Sequence, residues 1–176
     1  MTGKNDVLAA PFYQNYISKA PDEDVAKAIR TNTKNFRKLL KRIPKKKIDY
    51  AYEEGKWTIR EMLQHIIDAE RVFSYRALAF ARHETQRLPN FPEDNYAAVA
   101  GAGNRTIEDL VDELKLLRRS FKALYDSFTP AMLNNMGLGF KGLYSVAAIG
   151  YIVPGHQRWH LRVLEDKYYP LLKEFA

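Results

Sequence analysis

Apolar residues recur along this chain at steps of three and four, the period of a helix with one buried face, and four stretches sustain it. The first spans residues 22 to 43, where Val25, Ile29, Asn32, Phe36, Leu39, Leu40 and Ile43 share a side and Lys and Arg fill the other. The second has the sharpest start. Thr58 and Glu61 form a T-x-x-E capping box, in which hydroxyl and carboxylate each satisfy a backbone N–H that a first turn leaves open, and Trp57 and Met62 fit the flanking hydrophobic staple. From about Ile59 the stripe runs through Met62, Ile66, Ala69, Phe73, Ala77 and Phe80 before polar residues and Pro89 end it.

Residues 88 to 104, broken by Pro89, Pro92, Gly101 and Gly103, read as a long connection, and Thr106 with Asp109 marks the next helix start. Ile107, Leu110, Leu114, Leu117, Phe121, Leu124 and Phe128 supply its buried face. Pro130, Gly137, Gly139 and Gly142 punctuate a second irregular stretch. Ser145 then caps a last helix that runs toward Tyr168 and stops at Pro170. Pro154 lies inside it, removing one backbone hydrogen bond and crowding the Gly150 carbonyl; the helix either kinks there or restarts at Pro154.

Four amphipathic helices without a convincing alternating strand predict an all-α four-helix bundle, with long inter-helix connections that permit a crossover. No repeat or second domain is visible, so residues 1 to 176 read as one domain with its core at about 22 to 169. The apolar fraction of 46% and charged fraction of 28% suit a soluble globular protein. No apolar run is long enough to span a bilayer, and the first residues lack the pattern of a signal peptide, which predicts a cytoplasmic protein without a membrane partner. There is no cysteine, hence no thiolate ligand or thiol nucleophile of the chain's own. Much of the net charge of +7 sits at Lys41, Arg42, Lys45, Lys46 and Lys47 around Pro44. No aromatics interleave with it, so a solvated loop is favoured over a nucleic-acid partner.

His156 and His160 change the picture. Four residues apart on a helix, their side chains point the same way with Cβ atoms about 5–6 Å apart, a spacing that can grip one ion. They share the apolar face of the last helix with Ile149, Ile152, Val153 and Val163, and His65 borders the apolar stripe of the second helix. Bundles build metal sites from facing helices in this way, and three imidazoles leave positions open for water or substrate. The competing reading is three hydrogen-bonded core histidines. His83 would lie about 27 Å from His65 along the helix and cannot share its ion. Asp68 and Glu61, about one turn either side of His65, are the candidate catalytic carboxylates, orienting an imidazole or moving a proton; Asp68 can equally pair with Arg71. Arg76 or Arg158 can hold a substrate carboxylate, and Phe12, Tyr13 and Tyr16 either cover one end of the bundle or pack against it.

WTIREMLQHIIDAERVFSYRALAFAR at residues 57 to 82, LPNFPEDNY at 88 to 96 and SVAAIGYIVPGHQRWHLRVLEDKYY at 145 to 169 resemble the second helix, connecting segment and last helix of the DinB/YfiT-like family of metalloenzymes. The resemblance covers about residues 22 to 169. It implies a bundle with a nickel or zinc ion on His65, His156 and His160, a homodimer, and an enzyme that is either a thiol S-transferase or isomerase using a low-molecular-weight thiol, or a hydrolase. Many relatives read G-H-E-x-H-H where this chain has Gly155, His156, Gln157, Arg158, Trp159 and His160, so a carboxylate and an imidazole are missing. The leading expectation is a metal-dependent transferase or hydrolase acting on a small molecule. The alternative is a non-catalytic, metal-stabilised binding or stress-response module.

Overall fold

The computed structural model describes residues 3–21, 24–28, 30–31, 38, 43–44 and 47–170. Most of the helix expected over 22 to 43 lies outside the described residues, as do Lys41, Arg42, Lys45 and Lys46 of the basic loop. Within that stretch residues 25–28, 30, 31 and 38 are helical, and Ala28 and Ile43 are buried.

The described elements are α1 (Pro11–Ile17), α2 (Ile59–Ala81), α3 (Glu93–Val99), a 3-10 turn (Ala102–Asn104), α4 (Ile107–Asp126), α5 (Pro130–Asn134), β1 (Met136–Gly139), β2 (Gly142–Ser145) and α6 (Val146–Val163), which passes into a π-helical turn at Leu164–Tyr168. Among these residues no helix is long and apolar enough to cross a membrane. The architecture is the expected all-α bundle, α2 packing on both α4 and α6.

The helix starts follow the sequence closely. Thr58 and Glu61 form a complete capping box at α2, Thr106 and Asp109 form another at α4, and the Ser145 hydroxyl accepts from Ala148 N at α6. Each satisfies a backbone donor that would otherwise be orphaned, worth about 1 kcal/mol. Helix α6 continues through Pro154, so the restart reading does not hold. Proline costs a helix its own N–H bond, but the burial of Ile152, Val153 and Leu161 on either side keeps the helix in one piece.

Both connections hold more structure than their punctuation suggests. Residues 88 to 104 carry α3 and the 3-10 turn, and residues 136 to 145 form an antiparallel hairpin in which Met136 faces Ser145 and Gly139 faces Gly142. The N-terminal segment extends the hairpin through Ala10 N to Leu143 O and Ser145 N to Leu8 O. The hairpin glycines are packing residues: a Cβ on Gly137 would collide with the Phe80 ring, and one on Gly139 with the Tyr144 side chain.

The apolar interior forms two clusters. One, around Tyr13, Phe73, Phe80, Phe121, Tyr144 and Ile149, joins α1 and the hairpin to the bundle; the other gathers Ile59, Met62, Ile66, Leu110, Leu114 and Leu161. Along each of three helices a buried polar residue falls between the two clusters: Glu70 on α2, Arg118 on α4, and His156, Gln157 and His160 on α6. The functional candidates lie at this seam.

Candidate metal centre

Helix α2 carries His65 two turns past its capping box, and α6 carries His156 and His160 one turn apart, all three buried. Their Nε2 atoms converge. His156 Nε2 lies 3.1 Å from His65 Nε2 and 3.1 Å from His160 Nε2, and one ligand atom from each ring lies within 4.8 Å of the others. The rings are held from outside. Trp57 sits 4.6 Å from His65, Phe91 stacks on His65 at 5.9 Å and 11°, and the Tyr16 ring meets His156 edge-on at 5.3 Å.

Close approach of Tyr16 depends on Gly155, because a Cβ there would collide with the Tyr16 carbonyl oxygen. The glycine before His156 thus lets α1 lie directly on α6 beside the imidazoles.

Burial sets the charge of the cluster. It pushes His65 down to about 4; burial and then His65 push His160 down to about 3; and burial, His160, His65 and Arg118 together hold His156 well below the usual histidine value. All three are neutral at pH 7, so each offers a nitrogen lone pair. Hydrogen bonds among themselves cannot satisfy them all, since His156 Nε2 faces two neighbours and a neutral nitrogen is either donor or acceptor. A borderline divalent ion resolves this: imidazole nitrogens about 2.0–2.1 Å from one tetrahedral ion stand a little over 3 Å apart. The donor set fits such an ion.

The two carboxylates expected near His65 have other partners. Glu61 accepts from Thr58 N at 2.7 Å and from the Thr58 hydroxyl at 2.9 Å, inside the capping box. Asp68 accepts from Gln64 Nε2 at 2.9 Å and lies 3.7 Å from Arg71, in a surface network that Glu113 and Arg105 complete. His65 Nδ1 is buried without a hydrogen-bond partner among the described residues, so neither acid orients that ring. His83, expected on the surface, lies just past the end of α2 in the left-handed region (φ 63°), exposed.

Two charged residues beside the site, Glu70 and Arg118, are not among those the sequence analysis singles out. Glu70 and Arg118 form an ion pair at 2.9 Å, and Arg118 Nη2 donates to Gln157 Oε1 at 2.7 Å, a sealed network directly behind His156. Their signal was available, since each is a charge on an apolar stripe, Glu70 four residues after Ile66 and Arg118 four after Leu114. Gln157 stands where the family motif carries glutamate; here Glu70 supplies the carboxylate that meets Arg118. Trp57, read as a staple, also walls the imidazoles. The staple position aims its ring at the face of α2 on which His65 lies.

In front of the imidazoles lies a cleft of about 380 Å³. Tyr16, Trp57, Phe73, Phe91 and Trp159 give it an aromatic wall, and Arg76 lies at its inner surface. All three N-terminal aromatics line the cleft, and Tyr13 is also buried in the core, with Tyr16 packed against it. Arg158 does not line it.

No curated protein matches the chain in sequence. The chain shares its fold with solved structures, among them the following two. YfiT from Bacillus subtilis, described as a probable metal-dependent hydrolase with an unusual four-helix bundle topology, superposes with a TM-score of 0.62 at 15% identity, over 86% of this chain and 83% of that one. The mycothiol-dependent maleylpyruvate isomerase superposes with a TM-score of 0.64 at 14% identity, over 93% of this chain and 62% of that one, so the chain spans less than two thirds of that relative. The sequence model of one family matches residues 28–164, most of the chain and all three imidazoles, and the chain belongs to that family, the DinB superfamily.

Proposed function

We propose that this chain is a metal-dependent enzyme acting on a small molecule, with nickel or zinc held by His65, His156 and His160, and that it adds water or an external thiol to its substrate. The observation that carries this reading is the convergence of three neutral Nε2 atoms beside an open cleft. A purely structural site would be closed by a fourth protein ligand, whereas three nitrogens facing a cleft leave room for a reactant.

Bound there, the ion would lower the pKa of a water or thiol and polarise a carbonyl. The remaining work falls to the chain. Trp57 and Phe91 both pack on the His65 ring and fix its orientation, the work a hydrogen bond at Nδ1 would otherwise do. Arg118, fixed by Glu70, holds the Gln157 side chain and so braces the turn that carries His156. The aromatic walls exclude bulk water, strengthening electrostatic interactions inside the cleft.

The hydrolytic arm draws support from YfiT, described as a probable metal-dependent hydrolase, and the thiol arm from the mycothiol-dependent isomerase. Because the chain has no cysteine, any thiol is a low-molecular-weight co-substrate. The same reading takes the chain as a single cytoplasmic domain, from its length and hydropathy pattern, that pairs as a homodimer, on the strength of the family resemblance. The test is turnover by zinc- and nickel-loaded protein of an ester and amide panel, and of electrophiles with added thiols. Turnover that disappears in His156→Ala supports the proposal. Metal-loaded protein inert toward both panels points instead to a binding module.

A further inference from the structure

Arg76 is a buried guanidinium, only 5% exposed, that lines the cleft and has no carboxylate within ion-pair distance among the described residues. Its Nη2 donates to the Pro89 carbonyl at 2.9 Å, and its Cζ lies 5.5 Å from the centre of the Phe73 ring. The carbonyl takes up one of five donors and the Tyr144 hydroxyl, which also meets the guanidinium, can accept from another, but neither neutral group supplies a negative charge. Glu93 also lines the cleft, but it is exposed and forms no ion pair with Arg76. A permanently charged group held out of water without a counter-ion is strongly unfavourable, so its place on the inner wall calls for an anion from outside the chain.

The position of Arg76 indicates what that anion belongs to. It stands about three turns beyond His65 on the same stripe of α2, with Ala69 and Phe73 between them also lining the cleft. The Phe73 ring is 6.5 Å from the His156 ring, which places one aromatic surface between the guanidinium and the imidazoles. Along this side the cleft therefore runs from a buried cation across an apolar ring to three neutral nitrogens, while Lys141, the other cation in its lining, is exposed.

We propose that Arg76 anchors the carboxylate of a small monocarboxylic substrate whose apolar body lies along Phe73 and whose far end reaches the imidazole cluster. The guanidinium donors beyond those engaged by Pro89 and Tyr144 suit the oxygens of a carboxylate, and the single charge of Arg76 matches one negative charge. The part played by the imidazole cluster rests on the metal-dependent reading above; anion capture by Arg76 does not.

The test is calorimetric titration of the zinc-loaded full chain with phenylacetate, its neutral amide phenylacetamide, and phenyl phosphate. Wild type, Arg76→Met, Arg76→Lys and the His65→Ala/His156→Ala double variant are compared. The expected result is millimolar or tighter binding of phenylacetate, with the amide at least about tenfold weaker, and a loss of about tenfold or more in Arg76→Met. Arg76→Lys should fall between the two, and it keeps the test open if the methionine variant does not fold. The double variant should still bind phenylacetate, which separates this inference from the metal reading. Equal binding of acid and amide, no binding of phenylacetate, unchanged affinity in Arg76→Met, or loss only in the histidine variant would each overturn the assignment. Tighter binding of phenyl phosphate than phenylacetate would overturn the carboxylate class.

Discussion

Arg118 and Arg76 are both buried guanidiniums near the same histidines, yet they stand in opposite electrostatic situations. Arg118 is 4% exposed and meets Glu70, itself 2% exposed, at 2.9 Å with Gln157 on its other side. Burial pushes Glu70 up, and the adjoining guanidinium holds it back. Arg76 is buried to a similar degree beside an aromatic ring and a carbonyl, without an acid among the described residues. The sealed pair holds the fold together at the seam between its two apolar clusters. The open one is a charge maintained for a ligand, and a protein that keeps such a charge accepts a stability cost for function.

The comparison breaks most visibly at the pair. Glu70→Ala leaves Arg118 buried without its anion and should cost about 3–5 kcal/mol in urea unfolding. Replacing both partners by methionine should recover most of that loss, since no charge then stays stranded. A Glu70→Ala variant as stable as the wild type would contradict the assignment of Arg118 as a structural charge.

Gly155→Ala probes the seam from the other side. The added methyl collides with the Tyr16 carbonyl oxygen, so α1 must shift, at a cost of about 1–3 kcal/mol. The same shift should alter Tyr16 fluorescence or its ring resonances, because Tyr16 lies against His156.

Acid titration isolates His65. Its folded pKa, about 4, lies below the ordinary value of 6.5, so the unfolded chain takes up this proton first. In metal-free protein the His65 contribution is flat above 6.5 and turns against the fold as pH falls through the window down to about 4. His65→Ala should therefore gain on the wild type by about 1.4 kcal/mol per pH unit across that window, read from parallel denaturant melts. A constant difference between the two proteins would mean that His65 is not buried as described.

The smallest effect is the most pointed. Arg76→Met removes a buried, unpaired cation at the expense of one hydrogen bond to Pro89, so its unfolding free energy should equal or exceed that of the wild type, against a loss of several kcal/mol for Glu70→Ala. A loss as large as that of Glu70→Ala would show that Arg76, too, is a structural charge.

The sequence disclosed the parts of this molecule that depend on local chemistry. Thr58 with Glu61 and Thr106 with Asp109 each announce a helix start, because a capping box is complete within four residues. The His156 and His160 pair is legible because one turn of helix fixes their relation, and His65 because it borders the apolar stripe of another helix, with the family resemblance supporting all three. The hairpin at 136 to 145 stayed hidden because Gly137 and Gly139 look like punctuation, whereas their role is to admit the Phe80 and Tyr144 side chains from distant parts of the chain. Glu70 and Arg118 were passed over for a related reason. Each alone is a charge on an apolar face, and only the packing of α2 on α4 reveals that they neutralise each other. Glu61 and Asp68 looked available because sequence spacing places them near His65 without disclosing that Thr58, Gln64 and Arg71 already engage them.

The central claim is that His65, His156 and His160 share one divalent ion. The most direct test is metal content per chain by plasma mass spectrometry, on tag-free protein equilibrated with zinc or nickel and then dialysed, with His65→Ala, His156→Ala and His160→Ala alongside. One ion per chain in the wild type, lost or greatly weakened in all three variants while helical circular dichroism persists, is the predicted result. A wild type that retains no metal under either loading, or variants that hold it as well as the wild type does, would contradict the account.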